Sequence, residues 1–555
     1  MRNNLIKFFL VLVFLIGISI RLVDLSSVPI GFHVDEVTAG YEGRYILANG
    51  KDTYGHSYPL YFNIIGDYRP TGIFYLAGLS EAIFGMNEFA VRFPSALFGA
   101  LTILGIYLLA LKIFENKTIA LLSSLFFAIS LWDITLSRAT SESTIATFLI
   151  VLGCGYLIHS INKSKISLIF LAAFLFFISL FFYPTARFLV PLISLYFLLV
   201  SFLKNVSKKM KLSVFLLFIF ILISLFTIMY QEHGFGRVSQ VAIWQTSGLH
   251  QLLVGLASGD GQNNILITRI YHNKIVFLAR VFMEQYLSYF SPQYLFISGG
   301  LPLRYSTYLS GLFLITQVPF ILIGFWWLIY KIRKDILSWQ SLVLYLLIIA
   351  PIPAALTFQE VPNVQRSSFL IIPLTLICGF GFYKFLMNFI NNKKRFVFAI
   401  FIVTIFIVFE FSYSIHQYFY HPITGSVFLR NDGEKELMSY IKDNKNSYNH
   451  IFIHRDAYIL FYLFYNQDLK NNLLLPINND PSITKIDNLD FVAYKGIKDH
   501  CVAKYAIEHS LFKANERIMF VDGGDCSWQY GNLKILKKIF RHDSTRAFTI
   551  YTLNN

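Results

Sequence analysis

The chain has 555 residues, 55% of them hydrophobic and only 14% charged, whereas soluble domains carry about 25% charged residues, so an ordinary soluble globular protein is excluded. On a soluble protein the net charge of +15 would point to nucleic acid. Here Lys and Arg fall in short clusters between apolar runs, which is a membrane-topology pattern and leaves no nucleic-acid partner.

A bilayer-crossing helix needs about 20 apolar residues. Runs of that kind predict spans near 5–22, 93–113, 117–134, 142–160, 166–183, 187–203, 212–230, 308–330, 339–357, 367–388 and 396–414, about eleven in all. Residues 71–85 are apolar but short and interrupted by Gly, which predicts a helix lying in the interface. The connecting segments alternate in charge. One set carries Arg2 and Lys7, Lys112 and Lys117, Lys163 and Lys165, Lys204 to Lys211, Lys331 to Lys334, and Lys393 to Arg395. The other set, 23–92, 135–141, 184–186, 231–307 and 358–366, is poorer in Lys and Arg. This asymmetry predicts a cytoplasmic N-terminus and an extracytoplasmic C-terminus. No small-residue cleavage site follows the first span, at Leu22-Val23-Asp24-Leu25, which reads as an uncleaved signal anchor.

Composition changes after residue 414. Residues 430–555 are polar, with short apolar stretches such as His450-Ile451-Phe452-Ile453 and Arg517-Ile518-Met519-Phe520-Val521. They predict a small α/β domain outside the membrane, after a membrane domain over 1–429 with large loops at 23–92 and 231–307. The four cysteines make no metal signature. Cys154 and Cys378 lie in apolar runs and read as inert core thiols. Cys501 and Cys526 share the polar region, where a disulfide is one reading and two free thiols the other. His450, His454, His500 and His509 have no ligand spacing and read as surface residues.

The first outside loop is rich in acids, among them Asp35, Glu36, Glu42, Asp52, Asp67, Glu81 and Glu88. The pair Asp35-Glu36 follows the first span closely. A carboxylate at that depth is costly to desolvate without a task or a partner, and it suits deprotonation of an acceptor hydroxyl beside a lipid-borne donor. Arg69, in Gly66-Asp67-Tyr68-Arg69-Pro70, falls at phosphate depth, where the guanidinium fork matches phosphate oxygens. The turn Ser137-Arg138-Ala139-Thr140-Ser141-Glu142 carries both signs, and on a helix Arg138 and Glu142 would share a face. Arg187, Arg304 and Arg366 add arginines on the side that topology disfavours, which suggests an anion site with phosphate as the ligand.

These segments together, with Arg92-Phe93-Pro94-Ser95-Ala96-Leu97, resemble the family 39-like glycosyltransferases of the C-type (GT-C) fold. That group includes protein O-mannosyltransferases and lipid A aminoarabinose transferases. Tyr289-Phe290-Ser291-Pro292-Gln293-Tyr294 and Ala350-Pro351-Ile352-Pro353 are also similar to segments of bacterial members. The resemblance spans roughly 1–430. It implies a polytopic helical membrane protein that moves a sugar, with inversion, from a polyprenyl-phosphate donor to a protein, lipid or glycan acceptor at the extracytoplasmic face. It gives Asp35 the place of the catalytic base, with Glu36 beside it. Arg69 takes the place of a donor-phosphate contact and Glu142 that of a second acid, while Tyr68 stands where aminoarabinose transferases carry an acid, one place from Asp67. Beside the resemblance, Arg187 and Arg366 are read as further donor-phosphate contacts, and Arg138 and Asp67 as part of an acceptor pocket with Glu142. Transfer in the family runs with or without a divalent metal. No metal ligand is assigned, and if one were used Asp35 and Glu142 would be its candidates. A transporter or lipid flippase is the rival reading, but the charges lie in outside loops and no internal duplication is visible. A non-catalytic assembly protein is the third.

Overall fold

The computed structural model describes residues 3–64, 67–230, 241–245, 248–261, 265–421, 426–454, 458–470, 483–492, 501–513, 515–528 and 530–554. In chain order, α1 (Asn3–Leu22) is followed by α2 (Val34–Asn49), strands β1 (Tyr61–Ile64) and β2 (Asp67–Pro70), and α3 (Gly72–Phe84). Then come α4 (Glu88–Phe114), α5 (Lys117–Ala128), α6 (Leu131–Ser137), α7 (Glu142–Lys163), α8 (Ser167–Ser179), α9 (Pro184–Leu203) and α10 (Lys208–Tyr230). The large loop holds α11 (Gly248–Gly259), α12 (Ile265–Tyr271) and α13 (Lys274–Ser288), and the last membrane helices are α14 (Val318–Lys334), α15 (Gln340–Ile349), α16 (Ile352–Ala355), α17 (Ile371–Met387) and α18 (Lys393–Tyr420). The C-terminal region adds α19 (Ser426–Leu429), α20 (Glu434–Asn444), β3 (His450–His454), α21 (Tyr458–Asn466), β4 (Ile483–Ile486), β5 (Leu489–Val492), α22 (Val502–Glu508), β6 (Ile518–Gly523), β7 (Leu533–Phe540) and β8 (Arg546–Leu553).

Local chemistry sets many of these boundaries. The side chain of Asn116 caps α5 by accepting from the N–H groups of Thr118 and Ile119, and Asn392 caps α18 by accepting from that of Arg395. Asn is among the best residues for satisfying the orphan donors of a first turn. Pro184 opens α9, where its missing N–H is not needed. Gly50 closes α2 at a φ of 71°, a conformation that costs glycine nothing.

Among the described residues eight helices are long and apolar enough to cross a membrane, or nine if α5 and α6, bent by 56°, form one broken span. Two other expected spans, near 166–183 and 339–357, appear as the shorter apolar helices Ser167–Ser179 and Gln340–Ala355. The expected count of eleven therefore resolves into eight full-length helices, one bent pair and two short ones. The span expected at 308–330 starts later, at Val318. Residues before it are tied elsewhere: Phe313 N–H donates to Leu295 O (2.8 Å) and Leu312 O accepts from Trp132 N–H (3.3 Å), bonds that hydropathy does not encode.

The chain divides into two compact units. The first comprises residues 1–23, 67–70 and 95–421. Within it Arg21 and Asp133, fully and almost fully buried, pair at 2.7 Å, and Arg21 also donates to Gly17 O (2.9 Å). Such a charge is retained in an apolar interior only when paired and fully hydrogen-bonded. The second unit comprises residues 24–66, 71–94 and 422–555, so most of the first loop, without residues 67–70, folds as one body with the C-terminal region. Its sheet has six strands in the order β4-β5-β3-β6-β8-β7. β3 lies parallel to β5 and β6, while β4, β7 and β8 are antiparallel to their neighbours. One apolar core joins Val37, Tyr41 and Tyr45 of α2 to Leu437 and Ile441 of α20, to α21 and to the strand residues Ile451, Ile453 and Met519.

Cys501 and Cys526 form a disulfide in this unit, and Cys154 and Cys378 are free and buried. His454, read above as a surface residue, is buried at the end of β3, because a central parallel strand is covered on both faces. His500 lies outside the described residues, and His509 is exposed.

Candidate active site

Asp35 and Glu36 occupy the first turn of α2 and meet opposite surroundings. His33 is the N-cap, its ring Nδ1 accepting from the Asp35 N–H at 3.0 Å. Glu36 returns the favour by accepting from the His33 N–H at 3.1 Å, completing a capping box with His in place of the usual Ser or Thr. Glu36 is buried and doubly paired: Arg92 Nε donates to its Oε1 at 2.9 Å, and Arg430 Nη2 to its Oε2 at 2.9 Å. Burial pushes the Glu36 pKa up, but Arg92 and then Arg430 outweigh it and hold the carboxyl at about 2. Arg92 also donates to Leu25 O (3.0 Å) and Gly31 O. Glu36 is thus an anchor that stays ionised around neutral pH. The Asp35 side chain is 20% exposed, with Oδ2 3.4 Å from His33 Nδ1, and it is the accessible carboxylate of the pair.

The other residues expected at the site belong to the first unit. Arg69 lies half-buried in β2, which also contains Asp67. Arg138 is wholly buried, donates to Ile20 O and lies 4.6 Å from the ring centre of Phe419. It does not share a helix with Glu142, since α6 ends at Ser137 and α7 starts at Glu142. The break is held by Ser95, whose Oγ accepts from the Ser141 N–H (2.9 Å) and donates to Ser141 O (3.2 Å). Those tertiary bonds replace the helical ones that the four-residue spacing assumed. Arg187, in the first turn of α9, is buried and donates from Nε to Leu180 O at 3.0 Å. Arg304 lies 5.1 Å from the ring centre of Tyr305.

Glu142 accepts from Gln365 Nε2 at 2.9 Å. Its neighbour Arg366 donates from Nη1 to Thr357 Oγ1 (2.9 Å) and Gln359 O (2.7 Å). The segment carrying both is pinned from three directions. Trp132 Nε1 donates to Val364 O (2.8 Å), the Tyr289 hydroxyl accepts from the Asn363 N–H (3.1 Å), and the Tyr294 hydroxyl shares a 2.6 Å bond with Ser367. The tyrosines of Tyr289-Phe290-Ser291-Pro292-Gln293-Tyr294 therefore hold a polar loop in place. A buried hydroxyl or indole N–H without a partner is costly, so such networks specify one arrangement.

The sequence alone points to no task for His33 or Arg92 and does not single out Arg430, Asn431 or Gln365. His33-Val34-Asp35-Glu36 has the spacing of a capping box and was findable. Nothing near Arg430 or Gln365 in the chain marks the partner that each meets. Among the described residues no group of three or more His, Cys, Asp or Glu could hold a metal ion.

Residues 68–229 match the family described as dolichyl-phosphate-mannose-protein mannosyltransferase. An uncharacterised protein of Aquifex aeolicus (strain VF5) is 34% identical over 114 residues, which are 20% of this chain and 23% of that one. The undecaprenyl phosphate-alpha-4-amino-4-deoxy-L-arabinose arabinosyl transferase of Pseudomonas savastanoi pv. phaseolicola is 30% identical over 146 residues, 25% of this chain and 26% of that one. The chain thus spans about a quarter of the length of the curated relatives it matches. The solved structure of ArnT from Cupriavidus metallidurans bound to undecaprenyl phosphate superposes with a TM-score of 0.51 at 11% identity, covering 100% of this chain and 98% of that one. The chain is a multi-pass membrane protein with the GT-C fold. Over residues 68–229 it is similar to the protein mannosyltransferases, and over 146 residues to an aminoarabinose transferase.

Proposed function

We propose that this protein is an inverting glycosyltransferase that takes a sugar from a polyprenyl-phosphate donor and passes it to a protein, lipid or glycan acceptor at the extracytoplasmic face. The observation that carries the reading is the contrast on the first turn of α2, where Glu36 is buried between two arginines and the Asp35 side chain, beside His33, keeps 20% of its surface exposed. The family match over residues 68–229 and the undecaprenyl phosphate bound to the structurally similar ArnT support the donor class.

In this mechanism Asp35 takes the proton of the acceptor hydroxyl as its oxygen attacks the anomeric carbon. The bond from that carbon to the phosphate oxygen breaks, and polyprenyl phosphate leaves. Arg69, Arg187 and Arg366 meet the phosphate charge, and Glu142, with Arg138 and Asp67, belongs to the acceptor side. The N-terminus is cytoplasmic, and the loops 23–92 and 231–307 together with residues 430–555 are extracytoplasmic. The one-sided basic clusters support this orientation, and so does a disulfide in the C-terminal region, since disulfides persist in oxidising compartments.

The test is transfer of a radiolabelled sugar from undecaprenyl phosphate in membranes. Asp35→Asn is expected to fold, to keep binding undecaprenyl phosphate and to lose transfer by roughly 10²- to 10⁴-fold, the usual contribution of a general base. Near-normal turnover in that variant would remove Asp35 from the mechanism, and loss of undecaprenyl phosphate binding would make its role structural.

A further inference from the structure

No motif in the C-terminal region signals chemistry, yet two of its residues reach the turn that carries Asp35. We propose that Arg430 and Asn431 are positioning residues for Asp35, and that bracing this turn is a task of the C-terminal region. The proposal rests on the reading of Asp35 as the base.

Four observations within the second unit converge on it. Arg430 Nη2 donates to Glu36 Oε2 at 2.9 Å and its Nε to Ile30 O at 3.1 Å, so one guanidinium grips the helix and the strand of chain leading into it. Asn431 Oδ1 accepts from the Val34 N–H at 3.1 Å. That N–H is one of the orphan donors of a helix start, and with Asp35 N–H on His33 Nδ1 and Glu36 N–H on His33 O all three donors of the turn are satisfied. Asn431 supplies this acceptor from a left-handed backbone at φ 56°, which Asn tolerates better than most residues. Finally, Gly31 has φ 80°, and a Cβ there would run into the carbonyl oxygen of Arg430, so the two backbones approach as closely as they can. The next turns of α2 are held the same way: the Tyr41 hydroxyl donates to Asp468 O at 2.8 Å and that of Tyr45 to Lys470 O at 3.1 Å. A general base must be placed to a fraction of an ångström, and here the placement is set by residues almost 400 positions away in sequence.

Asn431→Gly tests this without removing a charge, since Gly adopts the same φ freely. In the full-length protein, amide exchange at residues 34–36 is expected to quicken by up to about tenfold, the loss of one hydrogen bond, with β3 and β6 unchanged. With a radiolabelled undecaprenyl-phosphate sugar that the wild type uses, kcat is expected to fall by roughly ten- to a hundredfold at little change in donor KM. Asn431→Asp keeps the acceptor oxygen and tolerates the φ but gives up the Nδ2 donation to Glu434 Oε1 (3.3 Å), and it is expected to restore most of the protection at 34–36 and most of kcat. Arg430→Gln moves the same readouts further, and should it fail to fold, Asn431→Gly decides alone. Unchanged exchange at 34–36 overturns the brace, whatever happens to kcat. Faster exchange with kcat intact overturns the positioning role. If Asp35→Asn transfers normally, the catalytic reading has failed, and the exchange data still report on the brace.

Discussion

Two neighbouring carboxylates on the first turn of α2 illustrate what a side chain's surroundings do to its task. Glu36 lies between Arg92 and Arg430 with no access to solvent to speak of. Removing one member of a buried charge cluster leaves the others uncompensated and typically costs about 3–5 kcal/mol. Glu36→Gln is therefore expected to lower the stability of the second unit by about that amount, read as loss of amide protection in β3 and β6, while Asp35→Asn changes it by less than about 1 kcal/mol. Equal effects from the two variants would contradict this division. The dipeptide itself was legible in the sequence, because two acids just after a first span demand a reason. Which of them is accessible was not legible, because the answer lies in guanidiniums 56 and 394 residues away. The arginines expected to hold phosphate show the same limit. Their residue type was readable, but bonds such as Arg366 to Gln359 O depend on a loop whose pinning by Trp132, Tyr289 and Tyr294 no local pattern announces.

At the scale of elements, hydropathy locates the membrane helices because each must bury its backbone polarity within itself. It fails where tertiary bonds interrupt a run, as at the α5–α6 bend and before α14. It also says nothing about which helices touch. That is settled by small residues: a Cβ on Gly379 of α17 would run into Ser123 of α5, and one on Gly381 would meet the Phe320 carbonyl oxygen of α14. α17 is thus packed against α5 on one face and α14 on another, and dispersion between closely approaching backbones is the main attraction available in lipid. Gly381→Leu is expected to force α14 away and to lower stability by about 1–3 kcal/mol, as overpacking does, measurable as a lower midpoint of heat-induced aggregation in detergent. Gly155, whose Cβ would meet nothing, is the control, and a Gly155→Ala loss equal to that of Gly381→Leu would show that the crossing is not what matters.

At the scale of the whole molecule, the sequence suggested a membrane part followed by a separate C-terminal part. Residues 24–66 and 71–94 instead fold with 422–555. The apolar faces that fuse them, such as Val37 and Tyr41 against Phe464 and Leu437, read locally as ordinary loop and helix residues. This shared core also buries several acids, and their balance predicts how the second unit responds to pH. Burial raises Glu42 to about 7, Thr53 pulling it back only in part, and it raises Glu434 likewise to about 7 and Asp522 to about 6. An acid whose folded pKa is raised binds its proton more tightly when folded. Its contribution is present below the ordinary value and is lost as pH rises through the folded one. Glu36 has the opposite sign: its contribution is present above the ordinary 4.5 and is lost as pH falls towards about 2. Protection of β3 and β6 amides should therefore peak near pH 4.5 and decline on both sides, Glu42 and Glu434 each accounting for about 3 kcal/mol at most between 4.5 and 7. Glu42→Gln should flatten the decline towards neutral pH and leave the acid side alone, while Glu36→Gln should remove the acid-side decline. Protection that climbs steadily from pH 5 to 7 would mean that these buried carboxyls are ionised in the folded unit, and the core described here would then have to admit water or a cation at Glu42 and Glu434.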